Sequence, residues 1–166
     1  MTDIVKFPDP ILTTPTELFD FDNPPMDPNE LALALIKKVN EHNGLGLSAN
    51  QIGLPYRVFV IKGSPNIVVF NPKIVNFGDN ESYMYEGCLS YPNLLVKVKR
   101  PVEIRTRFQV PSGLITTKPF VGLTSRVFQH EYDHLDGVAF YKRATTYHRE
   151  QAFRKLKNDQ RKLKQQ

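Results

Sequence analysis

Residues 129–137 run Gln129-His130-Glu131-Tyr132-Asp133-His134-Leu135-Asp136-Gly137, an H-E-x-x-H pattern closed by a glycine. Positions i and i+4 of an α-helix share a face, so His130 and His134 can reach one metal ion together. Glu131 lies one residue on, beside such an ion without being needed as a ligand, where a general base belongs. Helical spacing extends from about Thr124 to Asp136, and Gly137 stops it. The stretch therefore predicts a metal-binding helix, and the rest of the chain is read as what surrounds it.

Two histidines do not hold a catalytic ion, so a third ligand must come from elsewhere. A metzincin-type pattern would place another histidine six residues after the second, and that position is Phe140. A downstream glutamate could only be Glu150, at the start of a basic tail. Cys88, 42 residues before His130 in Glu86-Gly87-Cys88-Leu89-Ser90, is the better candidate, because a thiolate binds zinc or ferrous iron strongly. Three protein ligands leave one position for water, the arrangement of a catalytic site. Thiolate plus two imidazoles accommodates zinc, ferrous iron, nickel or cobalt, and ligand type does not choose among them.

Upstream, Asp27 suits an N-cap, Pro28 the first helical position, and Glu30 the capping-box carboxylate. Leu31, Leu35 and Val39 recur at helical spacing before Asn43-Gly44 ends the run, which predicts a first helix. Arg57–Ile61 and Ile67–Phe70 read as strands, the second closed by Pro72. Leu94–Arg100 and Val102–Phe108 alternate apolar and basic residues, as half-buried strands do, and Leu114–Phe120 continues the same sheet. Five prolines in the first 26 residues predict an irregular segment lying over the surface. The tail from Thr146 reads as a third helix with a thin apolar stripe of Phe153, Leu156 and Leu163. The expected fold class is α+β. One domain holds short, mostly antiparallel strands around the H-E-x-x-H helix, with residues 1–145 as catalytic body and 146–166 as its basic C-terminal helix.

The chain has 166 residues, 40% hydrophobic and 23% charged, a globular composition that excludes disordered and membrane-spanning classes. No signal peptide is visible, and one cysteine allows no internal disulfide, so the expected compartment is the cytoplasm. Residues 1–145 carry 15 Lys+Arg against 15 Asp+Glu. The net charge of +5 lies wholly in residues 146–166, where seven basic residues face Glu150 and Asp159. A local excess of this kind suits an anionic partner or simply a solvated helix.

Glu86–Ser90 and Gln129–Gly137, together with Gly44-Leu45-Gly46-Leu47-Ser48-Ala49-Asn50-Gln51, resemble the signatures of the peptide deformylase family, in family order. Two details depart from the family pattern: Ser48 where alanine is usual, and the tip at Pro111–Gly113. The resemblance implies hydrolysis of the formyl group from the initiator methionine of a nascent peptide, with Fe(2+) as the native ion and Zn(2+), Ni(2+) or Co(2+) as substitutes. It implies that Cys88, His130 and His134 hold the ion and that Glu131 is the base. The side-chain amide of Gln51 and the backbone N–H of Leu89 would stabilise the oxyanion. It further implies a methionine pocket walled by Leu45, Met84, Leu123 and Val127, with backbone groups of Gly46 and Gly87 pairing with the peptide. Glu86 and Arg100 correspond to an ion pair behind the metal loop. A basic C-terminal helix implies docking near the ribosomal exit tunnel, by a protein expected to be a monomer. Two other readings stay open: a zinc peptidase cleaving internal bonds, and a catalytically silent ribosome-binding module. The cysteine motif and short chain disfavour the first, and the presence of Glu131 and Gln51 disfavours the second.

Overall fold

Asp27 opens helix α1 (Pro28–Glu41) by accepting hydrogen bonds at Oδ1 from the Asn29 amide at 2.7 Å and the Glu30 amide at 3.1 Å. These are donors that a helix start otherwise leaves free. Asn43, at φ +52°, turns the chain out of the helix, and the Gly44 N–H closes back on the Val39 carbonyl at 2.9 Å. Leu31, Ala32, Leu35 and Val39 are buried on one face of α1, against strands β1 (Gly46–Ser48) and β2 (Val58–Ile61). The structure, a computed structural model, describes residues 3–165.

The remaining strands are β3 (Ile67–Phe77), β4 (Glu81–Cys88), β5 (Tyr91–Pro101), β6 (Glu103–Gln109) and β7 (Ile115–Val121). An antiparallel sheet runs in the order β1-β2-β3-β6-β7, while β4 and β5 form a separate antiparallel hairpin. The architecture is α+β with antiparallel pairing, as the pattern of elements predicted. Three expectations need correction. Pro72 does not close its strand, because a bulge between Phe70 and Lys73 absorbs it, with Asn71 at φ +47°. The strands at Leu94–Arg100 and Val102–Phe108 do not share a sheet: β5 pairs with β4, and the chain changes sheets at Pro101–Glu103. The proline-rich N-terminal segment also does more than lie over the surface, since Leu12 and Phe19 are buried in the core.

Helix α2 (Gly122–Leu135) packs Val127, Phe128 and Leu135 against Phe59, Val69, Ile104, Phe108 and Phe120 of the large sheet. Its other side faces β1 and β5, so one helix is held between the sheet and the hairpin. Gly137, at φ +68°, ends it where an added Cβ would meet the Thr13 carbonyl at 2.7 Å. After a single 3-10 turn (Phe140–Arg143), helix α3 (Thr146–Leu163) packs on β5 through Ala152 and Leu156 without burying any residue fully. No helix among the described residues is long and apolar enough to cross a membrane.

Candidate active site

Cys88 at the end of β4 meets the two histidines of α2. Its Sγ lies 3.1 Å from His134 Nε2, and one donor atom from each of Cys88, His130 and His134 falls within 4.8 Å of the others. His130 Nδ1 is 3.0 Å from Glu86 Oε2. A carboxylate at that distance accepts a hydrogen bond from Nδ1–H, which leaves Nε2 as the atom free to bind metal. Burial disfavours an imidazolium at His130, but the Cys88 sulfur and the Glu86 carboxylate outweigh it and push its pKa up to about 10. Burial would raise the Cys88 thiol, yet the pull of His134 and hydrogen bonds from both histidines hold it well below the usual thiol range. Negative groups therefore converge where a cation is favoured, and the sulfur is readily a thiolate. His134 Nδ1 and Glu131 Oε2 are buried without a hydrogen-bond partner among the described residues. Sulfur and imidazole donors at this spacing fit a divalent transition metal.

Behind the histidines lies a buried ion network. Arg100 donates to Glu86 from Nε at 2.7 Å and Nη2 at 3.0 Å, and from Nη1 to Asp133 at 2.7 Å. Arg126 donates to Glu86 Oε1 at 2.9 Å and to the Val98 and Ser82 carbonyls at 2.9 and 2.6 Å. Asp133 also accepts from Arg143 Nη2 at 2.7 Å. Burial would raise the Glu86 carboxyl, but hydrogen bonds from His130 and Arg100 and their charges hold it far below the ordinary carboxylate range. A charge buried this deeply is stable only when paired and hydrogen-bonded, and here pairing ties β4, β5 and α2 together.

Glu131 faces β1. A Cβ on Gly46 would meet Glu131 Oε1 at 2.6 Å and Val127 Cγ1 at 2.7 Å, so only glycine lets β1 pass this close to α2. Burial pushes the Glu131 carboxyl up to about 7, against the opposing effect of the two histidines. Gln51 sits in the 3-10 turn after β1. Its Oε1 accepts from the Ser48 amide at 3.0 Å, and its Nε2 donates to Ser90 Oγ at 3.1 Å and approaches Cys88 Sγ at 3.5 Å. Ser48 Oγ donates to Asn50 Oδ1 at 2.7 Å, a bond that alanine at this position would lack.

A cleft of about 450 Å³ opens onto this cluster. Gln51, Cys88, Leu89, His130 and Glu131 line it, as do Leu45, Gly46, Met84, Gly87, Leu123 and Val127. Of the expected site residues only His134 lies behind the cleft wall, held through its backbone carbonyl by Asn50 Nδ2 at 2.8 Å. Leu45, Met84 and Leu123 are 55, 39 and 51% exposed, unlike ordinary core residues, whereas Val127 is buried at their base. The cleft is flanked by β1, at the edge of the large sheet, and β4, at the edge of the hairpin.

Sequence reasoning missed Arg126, Asp133, Arg143 and Lys6. Lys6 Nζ donates to the Leu89 carbonyl at 2.6 Å and fixes the turn after Cys88. One signal was present: Arg126 stands one helical turn before His130, an arginine on the face of a buried helix. Asp133–Arg143 and Lys6–Leu89 leave no local trace.

A family model described as polypeptide deformylase matches residues 1–150. The peptide deformylase of Acidobacterium capsulatum is 38% identical over 168 aligned residues, covering 95% of each chain. That of Desulforudis audaxviator is 36% identical over 148 residues, covering 88% of this chain and 95% of the relative. Among solved structures, a mutant of Arabidopsis thaliana peptide deformylase 1B gives a TM-score of 0.87 at 30% identity, over 99% of this chain and 92% of that one. A Plasmodium falciparum peptide deformylase in complex with an inhibitor gives 0.82 at 32% identity, over 94% and 97%. With sequence and fold matching along nearly the whole chain, the protein belongs to the polypeptide deformylase family of metal-dependent hydrolases.

Proposed function

We propose that the protein hydrolyses the N-formyl group from the initiator N-formylmethionine of nascent polypeptides, releasing formate, with Glu131 as general base. The observation that carries this reading is the convergence of Cys88, His130 and His134 donor atoms within 4.8 Å, beside a buried carboxylate on a cleft wall. A divalent ion held by these three residues, Fe(2+) in the native protein with Zn(2+), Ni(2+) or Co(2+) as substitutes, supplies a Lewis acid and a water acidified to near neutrality. Glu131 takes the proton of the attacking water and hands it to the departing amine. Its burial suits both halves of that task, since a carboxyl near 7 can accept and release a proton at neutral pH. The Gln51 amide, fixed by Ser48 and Ser90, and the Leu89 N–H donate to the oxyanion that forms on the formyl carbonyl.

The methionine side chain enters over Val127 and between Leu45, Met84 and Leu123, whose exposed apolar surface is better covered by substrate than by water. Edge strands β1 and β4 support peptide binding by strand addition at Gly46 and Gly87. The reading extends to a cytoplasmic monomer whose basic residues 146–166 meet RNA phosphates near the ribosomal exit tunnel. The test is formate release from a formyl-Met tripeptide by anaerobically purified protein, with metal analysis of the same sample. Turnover with a single bound ion per chain is expected. Metal-loaded protein that releases no formate would overturn the reading.

A further inference from the structure

A second cavity, a groove of about 1130 Å³, runs between the β4–β5 hairpin and α3. Tyr85 and Asn93 line both this groove and the catalytic cleft, so the two adjoin at these residues. Tyr85 lies two residues before Gly87 on β4, the edge strand along which an extended peptide would leave the cleft. The groove wall then offers apolar surface that is open to solvent, with Tyr85 68%, Leu95 57% and Leu163 72% exposed. Lys97, Arg154, Lys155 and Lys162 stand among these residues, and Asp159 is the only carboxylate among the described lining residues. The basic charge of α3 is thus divided, because Arg149, Lys157 and Arg161 lie outside the groove.

We infer that this groove is a binding site for the downstream segment of the substrate polypeptide, selecting chains with acidic side chains interspersed with apolar ones. The inference rests on the deformylase reading, because adjacency to the catalytic cleft at Tyr85 and Asn93 is what assigns the groove to peptide. A formylated amino terminus carries no positive charge, so the charge of the emerging segment is set by its side chains alone. Acidic residues would be drawn to Lys97, Arg154, Lys155 and Lys162, and apolar ones would cover Tyr85, Leu95 and Leu163. Cations along a groove open to solvent act mainly on the encounter, so selection should appear in kcat/KM and weaken with salt.

The test compares a formyl-Met tripeptide with longer formyl-Met peptides of about a dozen residues, a reach of roughly 40 Å, whose tails carry either glutamate or lysine. At low ionic strength the glutamate tail should exceed the lysine tail in kcat/KM by roughly tenfold, and the ratio should shrink as salt rises. Lys97→Glu combined with Arg154→Glu and Lys155→Glu should invert the ratio. Because both tails are measured on one preparation, differences in folding or metal loading cancel. Arg105→Glu with Arg107→Glu and Lys118→Glu, a matched charge change on β6 and β7 outside the groove, should leave the ratio as in the parent protein. A ratio near one in the parent protein, with the tripeptide still turned over, would overturn the inference while leaving the deformylase reading intact. So would a groove charge reversal that weakens cosedimentation with ribosomes yet leaves the ratio unchanged, since the groove cations would then serve RNA. Failure of metal-loaded protein to turn over even the tripeptide would remove the deformylase reading, and the inference with it.

Discussion

Helices α2 and α3 are both rich in polar residues, and the fold treats them in opposite ways. Ten of the fourteen residues of α2 are buried, whereas none of the eighteen of α3 is. Seven of the buried positions in α2 are polar or charged: Ser125, Arg126, Gln129, His130, Glu131, Asp133 and His134. A polar group removed from water is costly unless something compensates it, so each buried polar side chain of α2 answers to a partner or to the chemistry of the site. Gln129 Nε2, for example, donates to the Pro101 carbonyl at 2.9 Å. On α3 the charges stay hydrated, and their positions constrain the fold very little. Polar residues therefore build the interior of the site in α2 and stay open to solvent and partners in α3.

The sharpest break of that contrast is at the metal cluster. Cys88→Ser should lose most of the bound metal, because a hydroxyl replaces a thiolate poorly, and metal analysis of the purified variant checks this. Full retention would move the third ligand away from Cys88. Next comes Arg126→Met, which leaves Glu86 short of one buried partner and two backbone carbonyls without their donor. It should destabilise the protein by about 3–5 kcal/mol in urea titrations, whereas Arg161→Met on α3 should stay within about 0.5 kcal/mol. Equal effects at the two arginines would erase the distinction between the helices. Gly46→Ala is a smaller perturbation, forcing a Cβ against Glu131 and Val127 at a cost of about 1–3 kcal/mol. Its kcat should fall further than this loss of stability alone explains, because the displaced side chain is the proposed base.

Much of this was legible in the sequence where the signal is local. His130, Glu131 and His134 are joined by helical spacing alone, and Asp27-Pro28 announces α1 by cap chemistry. Cys88 followed from ligand chemistry and the elimination of weaker candidates. Strand β4 was not legible, because it has no two-residue alternation: it lies along the cleft with Tyr83, Met84 and Tyr85 all exposed. The bulge at Pro72 was hidden for another reason. Asn71 is held at positive φ with its side chain bonded to both the amide and the carbonyl of Phe19, 52 residues away. The partners of Glu86 were likewise beyond local pattern, at separations of 14 residues for Arg100 and 40 for Arg126. What sequence spacing misses here is the non-local pairing that a buried charge demands.

At the centre of the account, α2 carries two of the three metal ligands and a base that is not a ligand. The most direct test is Glu131→Gln, assayed for formate release from a formyl-Met tripeptide alongside metal content. The amide nearly preserves shape while removing the proton acceptor. Activity should fall by about 10²–10⁴-fold with metal held near a single ion per chain. Substantial activity in the fully loaded variant would contradict the account, because the proton would then be moved by another group.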